Sequence, residues 1–169
     1  DYIIPDLNSL KGREKMIRGV VITHGHYDHT GGVPHWVPKL GNPPIYSSDL
    51  TCAMLKKKME DVAPGKQLRL NPIRSRQRIR LGSFRLEFFG LSHNIPGSMG
   101  VVIETPGGSA VHTGDFKLDA QAHVNNRTDL DFIRTLGQRN ITVLMCDSTN
   151  SYAPGHQLSE AEIEKNIDL

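Results

Sequence analysis

The chain has 169 residues, 37% hydrophobic and 22% charged, with a formal net charge of +2; this suits one globular domain or part of a larger one, and excludes a disordered chain and two complete domains. No uncharged apolar run approaches the roughly 18–20 residues that span a bilayer, and the opening Asp1-Tyr2-Ile3-Ile4-Pro5 lacks the basic start of a signal peptide, so the expected compartment is the cytoplasm, with no membrane partner. Cys52 and Cys146 stand far apart and outside any CxxC pair, which fits two reduced, buried thiols better than a disulfide framework.

In chain order, the first residues read as an apolar strand that already begins at Asp1, so further residues are expected upstream. Residues 19–23 form a continuous apolar run that ends in a loop rich in His and Gly, the pattern of a buried strand feeding a site. A short helix is expected over 34–40, stopped by Gly41, and a second helix follows Ser48 or Asp49 as its cap and runs to Met59. Ile79 and Leu81, then Phe84, Leu86 and Phe88, alternate with polar residues around Gly82-Ser83, which predicts a β-hairpin. Residues 101–105 and 109–113 flank Pro106-Gly107-Gly108 and predict another. Residues 129–138 have helical spacing, and 141–146 read as a further apolar strand. Trp36, Phe84, Phe88 and Phe89 are assigned to the core. Hairpins together with strand-helix-strand units place the chain in the mixed α/β class.

Charge is unevenly spread. Ten cationic side chains, half of the total, lie between Lys56 and Arg85 against two acids, Glu60 and Asp61. Alternation puts Arg76, Arg78 and Arg80 on the face opposite Ile79 and Leu81, either as the wet face of a half-buried strand or as contacts for a polyanion.

The most informative stretch is Thr23-His24-Gly25-His26-Tyr27-Asp28-His29-Thr30-Gly31-Gly32, with three histidines and an aspartate in six consecutive positions. Imidazole nitrogen and carboxylate oxygen are the usual ligands of catalytic zinc, and a loop after a buried strand can turn alternate side chains inward. His24 and His26 suit one ion, Asp28 and His29 a second. Four ligands on one short loop cannot enclose two metals, so others must come from other strand ends. His93 follows the first hairpin and Asp115 the second.

His24-Gly25-His26-Tyr27-Asp28-His29 matches the HxHxDH signature of the metallo-β-lactamase superfamily, with His93 and Asp115 in the expected order. His29-Thr30-Gly31-Gly32, Ser92-His93-Asn94-Ile95-Pro96-Gly97-Ser98, His112-Thr113-Gly114-Asp115-Phe116-Lys117 and Asp147-Ser148-Thr149-Asn150 together resemble the ribonuclease J family, in the β-CASP branch. The resemblance covers essentially the whole chain.

The resemblance implies an αββα sandwich, incomplete at both ends, with residues 1–146 forming a partial metallo-β-lactamase domain and 147–169 the start of a β-CASP region. It implies two zinc ions (Zn2+), one held by His24, His26 and His93, the other by Asp28 and His29, with Asp115 bridging and Asp28 doubling as general base. A hydroxide activated between the ions would then hydrolyse RNA phosphodiesters, endonucleolytically, from the 5′ end, or both. Asp147 is a further candidate acid, Ser98 with Arg76, Arg78 and Arg80 the candidate RNA contacts, and the parent protein is expected to be a homo-oligomer. Asn94 and Gly97 replace the Ser and Asp of the family pattern, and the late histidine that completes the second metal shell has no counterpart. His35, His112, His123 and His156 are given no place among the ligands, His112 being expected either as a strand residue or as one that orients a ligand. Two other functions compete: another hydrolase of the superfamily, acting on a thioester or lactam, and a non-catalytic fragment of the fold.

Overall fold

A computed structural model of the chain describes residues 3–119, 127–155 and 157–167; His123 and His156 lie outside the described residues. The chain divides into two compact units, Asp1–Ile73 and Arg74–Leu169. No helix among the described residues is long and apolar enough to cross a membrane.

The first unit is built from parallel strand-helix-strand steps. Strands β1 (Val20–Val21), β2 (Ile45–Ser47) and β3 (Leu70–Pro72) form a sheet in that order, every neighbour parallel. Parallel neighbours need a crossover. The first carries the short helices α1 (Tyr27–Thr30) and α2 (Val33–Trp36), and the second carries α3 (Asp49–Val62). Ser48 caps α3 as expected, its hydroxyl accepting the Thr51 N–H at 3.3 Å. The helix buries Thr51, Cys52, Leu55 and Met59, one face at helical spacing. Leu55 closes a core with Ile22, Val33, Val37 and Ile45, against which Trp36 packs.

Three expectations change here. The opening residues 3–7 form no strand. The strand over 19–23 has only two ladder residues, although the Ile22 N–H still donates to the Tyr46 carbonyl at 3.0 Å. The helix over 34–40 divides into α2 and a 3-10 turn, Pro38–Leu40, because Pro38 offers no N–H to continue the ladder; Gly41, at φ 78°, ends the turn.

The second unit is a five-stranded sheet in the order β4 (Arg78–Leu81), β5 (Phe84–Gly90), β6 (Met99–Thr105), β7 (Gly108–His112) and β8 (Val143–Met145). The first four strands are antiparallel and both expected hairpins form, closing at Leu81↔Phe84 and Thr105↔Gly108. β8 returns parallel to β7 after α4 (Leu130–Leu136). Phe132 and Leu136 of α4 pack on Phe89, Leu91, Val102 and Val111, the alternate residues of one sheet face. A last helix, α5 (Glu160–Ile167), is tied to the segment after β7 through Lys117 Nζ, 3.0 Å from Glu160 Oε1.

Two core assignments are corrected in this unit. Phe84, beside the hairpin turn, is 45% exposed, whereas Phe88 and Phe89 are buried. Cys146 is exposed, since it follows an edge strand whose own residues are exposed, while Cys52 is buried and both thiols are free.

Three arginines of the basic stretch, Arg76, Arg78 and Arg80, are engaged within this unit. Arg76 does not share the face of Arg78 and Arg80: its φ of 67° takes it out of the ladder. Its guanidinium pairs with Asp129 and lies 4.6 Å from the Phe132 ring centroid. Arg78 stands in register with Glu87 and reaches it at 2.7 Å, while Arg139 takes the other carboxylate oxygen at 2.6 Å. Arg80 donates to the Gly82 carbonyl at 3.0 Å.

These pairings set an acid limit on stability. Burial pushes the Glu87 carboxyl up, but Arg139 and Arg78 outweigh it and hold the group below its ordinary 4.5. Asp129 is likewise raised by burial yet held below 3.8 by Arg76 and the Phe132 N–H. A carboxyl depressed on folding stabilises fully above its unfolded value, and this contribution disappears as pH falls through the folded value. The melting temperature is therefore expected to fall as pH drops below about 4.5, and Glu87→Gln should flatten that fall while lowering stability at neutral pH. An identical acid limb in the variant would refute this assignment.

Candidate metal centre

In the first unit the site grows from the end of β1. Ile22 is buried in the core, its carbonyl accepts the Ser47 hydroxyl at 2.6 Å, and the chain then turns into the histidine loop. His24 is fully buried. Its Nδ1 lies 3.1 Å from the Thr23 hydroxyl and its Nε2 3.1 Å from His26 Nδ1. The His29 ring centroid is 4.1 Å from that of His24. Three imidazoles thus converge at one strand end. Thr30 secures the loop by donating to the His26 carbonyl at 2.8 Å and the Gly25 carbonyl at 3.3 Å.

Asp28 departs from the expected inward alternation. From Tyr27 the loop winds into helix α1, with His26 as its N-cap, so successive side chains fan out by about 100° instead of alternating. The Asp28 side chain is 77% exposed, with one oxygen 3.3 Å from His29 Nε2.

In the second unit His93 and Asp115 lie on the loops that follow β5 and β7, both half-buried. Ser92, beside His93, is buried. It accepts the Lys117 N–H at its carbonyl (2.7 Å), and its own N–H donates to Thr128 Oγ1 at 3.0 Å. That clasp ties the His93 loop to the segment following Asp115. Asp147 completes the group, accepting the N–H of Phe116 at 3.4 Å and of Thr149 at 2.8 Å, while its own N–H donates to Thr113 Oγ1 at 3.1 Å. Burial raises the Asp147 carboxyl, but these hydrogen bonds and the nearby His93 hold it below the ordinary carboxylate value. These contacts tie the start of the segment after β8 to the loop that carries Asp115. His112 ends β7 with its Nδ1 accepting the Gly114 N–H at 2.9 Å. Ser98, expected at an RNA phosphate, is buried, and its hydroxyl donates to the Ile95 carbonyl at 3.1 Å to close the turn after His93.

Thr23, Ser92 and Thr128 were not singled out by sequence reasoning. Ser92 lies inside a motif; Thr128 carries no local signal, because its partner is 36 residues away.

The family model described as Metallo-beta-lactamase superfamily matches residues 2–156. This chain belongs to the metallo-β-lactamase superfamily. Its mixed α/β content and two sheets agree with that membership. It is 39% identical over 175 residues to Ribonuclease J of Thermus thermophilus and 35% identical over 169 residues to Ribonuclease J of Synechocystis, in each case over 99% of this chain. It spans only 30% and 26% of the lengths of those relatives. A crystal structure of a protein of unknown function from Enterococcus faecalis matches its fold with a TM-score of 0.61 at 19% identity, over 85% of this chain and 34% of that one.

Proposed function

We propose that the chain is the metal-binding part of a cytoplasmic ribonuclease of the ribonuclease J kind, hydrolysing RNA phosphodiesters, with residues 147–169 leading into a β-CASP region. The observation that carries this reading is the histidine cluster at the end of β1, in a superfamily member whose identity to ribonuclease J proteins runs along its whole length. The donor chemistry fits zinc. Neutral imidazoles and carboxylates suit that ion, and the contact of His24 Nδ1 with the Thr23 hydroxyl leaves Nε2 as the nitrogen for an ion.

In this proposal His24, His26 and His93 would hold one zinc, and Asp28 and His29 would hold the second, with Asp115 as a ligand available to both. Ions bound there would supply Lewis acidity for activating a water and for balancing charge on the phosphate. The chain's own residues orient and receive. Thr23 fixes the His24 ring, Thr30 fixes the backbone of the loop, and the Ser92 clasp and Asp147 steady His93 and Asp115. Asp28, exposed beside His29 Nε2, accepts the proton of the attacking water.

The test is hydrolysis of a labelled single-stranded RNA by the zinc-loaded chain. Cleavage that stops on chelation and returns with zinc is expected, and Asp115→Asn should lower it by about 100-fold or more while RNA affinity changes little. Cleavage undiminished in chelator, or turnover of a thioester or lactam in place of RNA, would overturn the reading.

A further inference from the structure

Within the first unit, beside the histidine loop, lies a groove of about 590 Å³ whose lining includes Tyr27, His35, Met54, Lys57, Lys58 and the acidic Asp61. Tyr27 stands between His26 and Asp28 in the motif, yet it is 63% exposed. Its ring lies close on the backbone of α1. A Cβ at Gly31 would come within 2.8 Å of the ring and 2.7 Å of the Tyr27 carbonyl oxygen, so the glycine is what lets the ring settle there.

The ring in turn holds a cation. Lys58 Nζ sits 3.7 Å from the Tyr27 ring centroid. Its neighbour Lys57 is paired with Asp61 at 2.8 Å, whereas Lys58 makes no ion pair among the described residues. The groove therefore presents an ammonium without a carboxylate partner, beside an apolar wall that includes Met54 and Val62. That combination suits a strand with negative phosphates and flat apolar bases.

We propose that this groove takes single-stranded RNA, with Lys58 contacting a backbone phosphate and Tyr27 acting as a positioning residue that keeps the ammonium beside the metal-ligand loop. The inference rests on the RNA-hydrolase reading and deepens it.

The experiment measures binding of the whole 169-residue chain to a fluorescent oligouridylate by anisotropy across a range of salt concentrations. Lys58→Gln and Tyr27→Leu are expected to weaken binding by about fivefold or more and to reduce the salt slope by about 0.7, the value for one phosphate contact on a single strand. Tyr27→Phe, which keeps the ring face, should stay within about twofold of the parent chain. Lys58→Gln binding with unchanged affinity and slope would overturn the inference, whatever Tyr27→Leu does. A parent chain that binds no RNA would overturn the proposed function with it, whereas a parent that binds and variants that match it would overturn this inference alone. Stronger binding to an oligoglutamate of equal charge would transfer the groove to an acidic peptide and overturn its assignment to RNA.

Discussion

Phe132→Ala is expected to destabilise the second unit by about 3–5 kcal/mol, the usual cost of emptying a large aromatic site in a core. Phe132 is the residue by which α4 docks. It is 1% exposed, it stacks on Phe89 with ring centroids 5.3 Å apart, and it belongs to the cluster with Leu91, Val102 and Val111. The guanidinium groups of Arg76 and Arg139 lie 4.6 and 5.1 Å from its centroid. Each is also held by a carboxylate, Arg76 by Asp129 and Arg139 by Glu87. Removing the ring therefore empties a packed site and takes a partner from two cations. The loss is a large share of the 5–15 kcal/mol that stabilises an ordinary domain. Chemical denaturation monitored by circular dichroism checks it. Phe132→Leu, which refills most of the space, should recover more than half of the loss. A cost below about 1 kcal/mol for the alanine variant would mean that α4 is not anchored as described.

The consequences should reach the candidate metal centre through a short covalent path. Thr128 lies immediately before Asp129, the N-cap of α4, and its hydroxyl oxygen accepts the Ser92 N–H next to His93. An α4 that no longer docks loosens one end of the clasp that orients His93. This coupling lies wholly within the second unit.

What could be read from the sequence was mainly local. The two hairpins follow from Gly82-Ser83 and Pro106-Gly107, where turn chemistry and alternating strands agree over a few residues, and the cap of α3 follows from Ser48 ahead of a helical pattern. The histidine motif was equally plain, because the donors stand in six consecutive positions. Features set by distant partners were not legible. Arg76 looked like one more member of an alternating run. Its place is decided by Asp129, 53 residues later, which draws it out of the ladder. The exposure of Asp28 follows from the loop turning helical at Tyr27, a change that the motif alone does not reveal. Phe84 and Cys146 carry the residue types of a core but lie at a hairpin turn and after an exposed edge strand, positions that depend on which strands are neighbours. Thr23 and Ser92 show the same limit from the other side: an ordinary hydroxyl gains a role through what it touches.

The central claim is that the imidazoles converging at the end of β1 are metal donors. Metal content per chain, measured by mass spectrometry after purification without chelator and equilibration with limiting zinc, tests it most directly. His24 is the residue to change, since it is fully buried, faces His26 Nδ1 through its own Nε2 and lies against the His29 ring. The parent chain should retain zinc, and His24→Ala should lower affinity by more than the 10–100-fold typical of losing a group that merely orients a ligand, with Thr23→Val falling within that range. Folding of the alanine variant, checked by its circular dichroism, separates lost donors from lost structure. Equal zinc content in the parent and a folded His24→Ala variant would contradict the account.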